Sequence, residues 1–254
     1  MIRQASIRVA RHTVPRPVRA WLRARWNRTQ YCPPPGWVRF GSLRRAAPIS
    51  RSFGNDRGLP VDRFYIERFL ATHAECIRGR VLEVGDARYT YTFGGDRVTT
   101  SDVLHLKPGN PKATIIADLS AAETHISPDT FDCIILTQTL PVIYDLHAAV
   151  RTLHLILKPD GVVLATVGGI SQISRWDMDR WGHFWNFTTL SAKRLFEQSF
   201  APDHVAVQSY GSVLSATAFL QGLAAHELRE EELAYWDPDY QVLIGIRAVK
   251  ERKV

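Results

Sequence analysis

The chain has 254 residues, a formal net charge of +7, 45% hydrophobic residues and three cysteines. That length suits one domain with extensions and buries about three quarters of the unfolded surface. Cys32, Cys76 and Cys133 are too few and too scattered for a disulfide framework or a paired metal site, which fits a reduced, cytoplasmic protein. No apolar run reaches the ~18 residues of a membrane span, and no secretory signal is legible.

Charge is uneven along the chain. Residues 1–80 hold 17 arginines, no lysine and four acids, a balance of +13, whereas residues 81–254 carry −6. A basic arm and linker is expected over 1–52. Within it, 14–26 has the spacing of a short helix with Trp21 and Leu22 among arginines. Residues 1–30 admit three readings: a solubilising tail, docking on an anionic membrane surface, or nucleic-acid binding. The arginine-rich, acid-poor start also resembles a transit peptide. No nucleic-acid-binding module accompanies the charge, so no nucleic-acid partner is expected. A location peripheral to the inner face of the membrane follows from the second reading.

The run 33–36 (PPPG) marks a stiff linker, and 53–60 is turn-rich. Residues 61–73 read as a helix packing through Phe64, Ile66, Phe69 and Leu70, with Asp62 as its cap. Next comes VLEVGD (81–86), an apolar run ending in an acid and a glycine, and 19 positions after Glu83 a second apolar run ends at Asp102. Strand, glycine turn, short crossover and strand with a terminal acid build a pocket for a ribose-bearing cofactor. Gly85 admits the ligand without a Cβ, and Asp102 at the strand's end accepts from both ribose hydroxyls. A plain structural turn is the alternative. The run 113–119 is a third strand and 131–138 a fourth, continuous enough to be buried on both faces. Residues 147–157 have helical spacing up to KPDG (158–161), and 161–167 is a fifth strand. The regions 204–209 and 241–249 form a final antiparallel pair at the sheet edge, with largely helical chain over 212–233 between them.

The ordered set VLEVG, SDVL, IIADL, FDCIILTQTL, LKPDG and VVLATV resembles the S-adenosylmethionine-dependent methyltransferases with the Rossmann-like fold, over roughly residues 60–250. FGNDRGLPVDRFYIERFL (53–70), LEVGDARYT (82–90) and GISQISRWDMDRWGHFWNFT (169–188) are similar to methyltransferase-like proteins of bacterial surface polysaccharide synthesis. Three departures stand out. The first loop has one glycine where the family has two or three, the crossover is short, and Asp160 stands where glycine is usual, a position Asp tolerates in left-handed backbone.

The resemblance implies an α/β fold: a Rossmann-like, mainly parallel seven-stranded sheet over 53–254, with an N-terminal helical cap at 53–78. It implies S-adenosyl-L-methionine as cofactor, with Glu83 and Gly85 at the methionine half and Asp102 at the ribose. Asp118 and Leu119 would meet adenine, and Gln138 and Thr139 the sulfonium. Glu83 has a second reading, as an acceptor for neighbouring loop amides. The cap would lie over the pocket mouth, offering Arg57, Arg63 and Tyr65 to an anionic or sugar ligand.

The segment 175–186 holds three tryptophans and a histidine. Indole faces stack on sugar rings, so Trp181 and Trp185 are candidate acceptor contacts. His183 is the candidate catalytic base, histidine being the residue type that titrates nearest neutrality; a satellite core with a structural histidine is the alternative. Asp177 and Asp145 are weaker base candidates. The other histidines show no paired ligand spacing, so no metal is expected. The implied activity is O-methylation of a sugar or glycan intermediate. Two rivals remain: a non-catalytic methyltransferase-like partner of a glycosyltransferase, and a basic nucleic-acid-associated protein.

Overall fold

The computed structural model describes residues 15, 18, 19, 33 and 36–252. Most of the helix expected over 14–26, nearly all of residues 1–30, and Cys32 lie outside them. The chain divides into two compact units, residues 1–47 and 48–254. In the first, a 3-10 turn spans Gly41–Leu43.

The second unit is built on seven strands: β1 (Gly79–Val84), β2 (Val98–His105), β3 (Ile115–Ile116), β4 (Phe131–Thr137), β5 (Leu157–Gly168), β6 (Val205–Tyr210) and β7 (Leu243–Val249). Their spatial order is β3-β2-β1-β4-β5-β7-β6. β1 to β5 are parallel, and β7 runs antiparallel between β5 and β6. The helices are α1 (Val61–Thr72), α2 (Leu146–Ile156), α3 (Arg175–Arg180), α4 (Thr189–Phe196), α5 (Val213–Gln221) and α6 (Glu230–Ala234). The expected α/β architecture is therefore present, strand by strand.

Both sheet faces are covered, which is why the strands read as continuous apolar runs. Leu82, Ile134, Leu136, Val163 and Ala165 enter one core with Val150, Leu153 and Ile156 of α2. Val81, Cys133, Ile135 and Leu164 enter the other with Tyr65, Ile66 and Phe69 of α1 and Phe219 of α5. The period of two along each strand makes this division. Each such large side chain contributes about 1.5–3 kcal/mol on burial. Phe69 lies so close to β7 that a Cβ at Gly245 would come within 2.5 Å of its ring. Glycine there is a packing requirement.

Several local expectations change. Asp62 is not the cap of α1: Pro60 holds that position, and the Asp62 carboxylate accepts the Arg63 N–H at 2.8 Å within the first turn. β3 shrinks to two residues, flanked by ladder bonds from Thr114 N–H to Val103 and from Ala117 N–H to His105. The crossover after β1 is brief, a π-type turn over Thr90–Gly94 followed by a 3-10 turn over Gly95–Arg97. Asp160 adopts φ +64°, the left-handed conformation expected of it.

Candidate functional site

The carboxyl ends of β1, β2 and β4 open onto a cavity of about 580 Å³, in the range of small-molecule sites. Gly85 follows β1 with φ +92°, and a Cβ there would meet nothing within 4 Å. Its amide donates to Leu104 at 3.0 Å, and its carbonyl accepts the Asn110 Nδ2–H at 2.7 Å. The glycine is thus pinned from both sides with its open side free for a ligand. Asp118, Leu119, Gln138 and Thr139 line the same cavity. Asp118 Oδ1 accepts the amide and hydroxyl of Ser120 at 2.9 and 2.7 Å, and among the described residues Oδ2 carries no hydrogen bond. Gln138 ends β4 in left-handed backbone, φ +51°, held by its amide's bond to Thr166 at 2.8 Å. A non-glycine residue in that region stores strain of about 1–3 kcal/mol, a device common at binding sites.

Two expected cofactor residues stand elsewhere. Asp102 does not end β2; it pairs with Leu82, and the strand continues through Val103 and Leu104 to His105. Its carboxylate accepts Arg80 Nε–H at 2.8 Å and the Thr114 hydroxyl at 2.9 Å, and it lines neither cavity of the site. His105 takes the strand-end position. Its Nδ1 lies 2.6 Å from the Lys107 carbonyl and 3.3 Å from the Lys107 N–H, and the shorter contact favours an Nδ1–H donor, since two lone pairs would repel at that distance. The neutral ring then presents Nε2 as an acceptor. Glu83 also turns from the cavity. Alternation along β1 sends it to the α1 face, where its carboxylate accepts the Tyr89 amide (3.2 Å) and the amide and hydroxyl of Thr90 (both 2.7 Å). This is the loop-amide reading. Burial pushes its pKa up to about 7, against the lowering effect of those bonds.

A second cavity of about 550 Å³ adjoins the first, and Gln138, Val142, Trp176 and Asp177 line both. Arg63 faces it, together with Arg51, Asp62, Arg175 and His183. Burial lowers the Arg63 pKa, but Asp62, Tyr89 and Asp177 outweigh it and leave the guanidinium above its ordinary value. Burial raises the Asp62 carboxyl, with Arg63 opposing. Ser174 caps α3 through its hydroxyl, which accepts the Asp177 amide at 3.3 Å. Asp177 is thereby set at the junction of the cavities, and among the described residues its carboxylate accepts no hydrogen bond.

His183 lines the second cavity. Its Nδ1 accepts the Ser174 N–H at 3.3 Å, so the neutral ring carries its proton on Nε2, which is buried without a partner. Trp181 lines the first cavity, not the second, with Lys107 over its ring at 5.1 Å and His105 at 5.9 Å. Trp185 lies in neither, its indole N–H donating to Ile143 at 3.0 Å. Tyr65 is fully buried, its hydroxyl bonded to Leu233 at 3.0 Å and its ring stacked on Tyr210. Arg57 pairs with Glu227, and Asp145 caps α2 by accepting the Ala148 amide at 2.9 Å. His105 and Arg51 are the site residues no motif marks. The apolar pair Val103-Leu104 beyond Asp102 is the signal that β2 runs on to His105.

The strand order, with β7 reversed beside β5, decides the fold family. It is the Rossmann-like methyltransferase fold. A SAM-dependent methyltransferase from Archaeoglobus fulgidus matches with a TM-score of 0.51 at 11% identity, over 74% of this chain and 94% of that one. A putative sarcosine dimethylglycine methyltransferase from Galdieria sulphuraria matches with a TM-score of 0.47 at 14% identity, over 76% and 88%. At these identities the likeness is one of fold. No family model and no curated protein matches the sequence. No described helix is long and apolar enough to cross a membrane.

Proposed function

We propose that this protein is an S-adenosylmethionine-dependent methyltransferase acting on a hydroxyl of a sugar or glycan intermediate. The observation that carries the reading is the junction at Asp177, where a sheet-edge cavity under a positive-φ glycine meets a second cavity. One compartment suits a cofactor and the other an acceptor. When bound, the cofactor supplies a methyl group already activated on a sulfonium sulfur. Gly85 gives it room, Asp118 Oδ2 is free to accept from an adenine amino group, and His105 Nε2 accepts from a ribose hydroxyl in place of the usual carboxylate. Asp177 takes the acceptor's hydroxyl proton. Gln138 and Trp176 at the same junction orient the acceptor and exclude water. The exposed indole of Trp176 favours a sugar, whose C–H groups stack on aromatic faces. The sequence likeness to polysaccharide-linked proteins supports the same acceptor class, and the arginine-rich arm suits docking at an anionic membrane face from the cytoplasmic side.

A second reading, a non-catalytic partner of a glycosyltransferase, is favoured by one observation: the Glu83 and Asp102 carboxylates are both engaged within the protein. Calorimetry with S-adenosylhomocysteine separates the two. The methyltransferase reading expects binding that Gly85→Val abolishes, because a branched side chain there enters the cavity and strains the turn. Absence of binding at millimolar ligand would overturn it in favour of the partner reading.

A further inference from the structure

We propose that the second cavity holds its acceptor by an oxyanion, a phosphate or a carboxylate carried on the acceptor molecule. The inference rests on the methyltransferase reading only for calling that molecule the methyl acceptor.

The cavity is rich in donors. Three arginines line it, Arg51, Arg63 and Arg175, against Asp62 and Asp177, and of these Arg63 already interacts with Tyr89, Asp62 and Asp177. Among the described residues Arg51 makes no side-chain hydrogen bond or ion pair, and Arg175 has an exposed contact with Asp179 at 3.5 Å. Asp62 spends one oxygen on the Arg63 amide at 2.8 Å, and burial disfavours its charged form. Positive charge therefore exceeds negative within a partly enclosed space, where a bound anion is screened less than on an open surface.

A second, independent observation points the same way. His183 Nε2 is buried and unpartnered. Because Nδ1 already accepts from Ser174, the atom left over is an N–H donor. An orphaned buried donor costs about 1–3 kcal/mol unless something accepts from it, and His183 is one of the residues that line this cavity. The cavity is also held in shape: Gln172 Nε2–H donates to the Arg51 carbonyl at 3.1 Å, tying that arginine's backbone to the loop after β5. A planar guanidinium pairs with phosphate or carboxylate through two parallel N–H bonds, so both sources share this recognition.

The test is calorimetry on the full chain with glucose 1-phosphate, glucuronate and glucose, each with and without S-adenosylhomocysteine. At least one of the two anionic probes should bind about tenfold or more tightly than glucose, and which one does so names the oxyanion. Arg51→Gln should weaken that binding by about tenfold while leaving S-adenosylhomocysteine affinity unchanged. Arg63→Gln should do the same, and Arg51→Gln, at an exposed position, keeps the test decisive if Arg63→Gln fails to fold. Anion binding that survives Arg51→Gln and a folded Arg63→Gln would belong to the arginine-rich arm and would overturn the proposal, as would equal binding of all three probes. Arg51-dependent anion binding without any S-adenosylhomocysteine binding would support the oxyanion site and remove its role as methyl-acceptor site.

Discussion

The Asp102 carboxylate accepts the Arg80 Nε–H at 2.8 Å from the neighbouring strand, two residues behind the end of β1 pairing. This contact engages within the protein the carboxylate that the sequence pattern assigns to the ribose. Asp102→Ala should lower unfolding free energy by about 1–3 kcal/mol, the worth of a charge-assisted bond and the Thr114 hydroxyl left without its acceptor. The half-exposed Arg80 places the loss toward the lower end. S-adenosylhomocysteine affinity should hold. Urea denaturation beside calorimetry checks both, and a collapse of affinity in a folded variant would return Asp102 to the ribose.

His105 should carry the role instead. His105 lines the cavity, and with Nδ1–H on the Lys107 carbonyl the acceptor left on its ring is Nε2. His105→Ala should weaken S-adenosylhomocysteine by about three- to tenfold, the worth of one neutral hydrogen bond. An unchanged dissociation constant would remove it from the site.

Asp177 and His183 should exchange the order that residue type alone suggests. Asp177→Asn should reduce turnover by roughly 10²–10⁴-fold with cofactor affinity nearly unchanged, since it removes a proton acceptor at the junction. His183→Ala should chiefly raise the KM of an anionic acceptor. Steady-state kinetics with both variants decides; a His183→Ala enzyme that loses kcat at unchanged KM would reinstate the histidine as base.

Glu83 should make the first loop sensitive to pH. Its folded pKa of about 7 lies above the ordinary 4.5, so between these values the folded protein keeps a proton that the unfolded chain releases. Its contribution is complete below 4.5 and lost as pH rises through 7, by about 3 kcal/mol over the window. The Tm of the parent minus that of Glu83→Gln should therefore fall between pH 4.5 and 7.5. A flat difference would mean that the Tyr89 and Thr90 donors keep Glu83 ionised throughout.

The sequence by itself determined the sheet. Apolar runs at 81–84, 131–137 and 161–167, separated by a glycine turn and a helical repeat, are local patterns, and burial on two faces leaves them few other structures to adopt; the turn expected at 158–161 is instead part of β5. The left-handed Asp160 and the brevity of the first crossover were legible for the same reason, because both follow from residue type and spacing. The tertiary structure decided which side chains reach the cavities. Asp102 and His105 are three residues apart on one strand, and only the length of the ladder says which of them stands at its end. Tyr65 and Arg63 sit on one helix, and only the packing of α1 on the sheet buries the first and leaves the second facing a cavity. Arg51 and His183 are 132 positions apart in sequence, and they share a cavity because the loop after β5 folds back toward the segment ahead of α1. A strand's existence is written in a few consecutive residues, whereas the direction and partner of a polar side chain depend on register and on loops that pack from far along the chain.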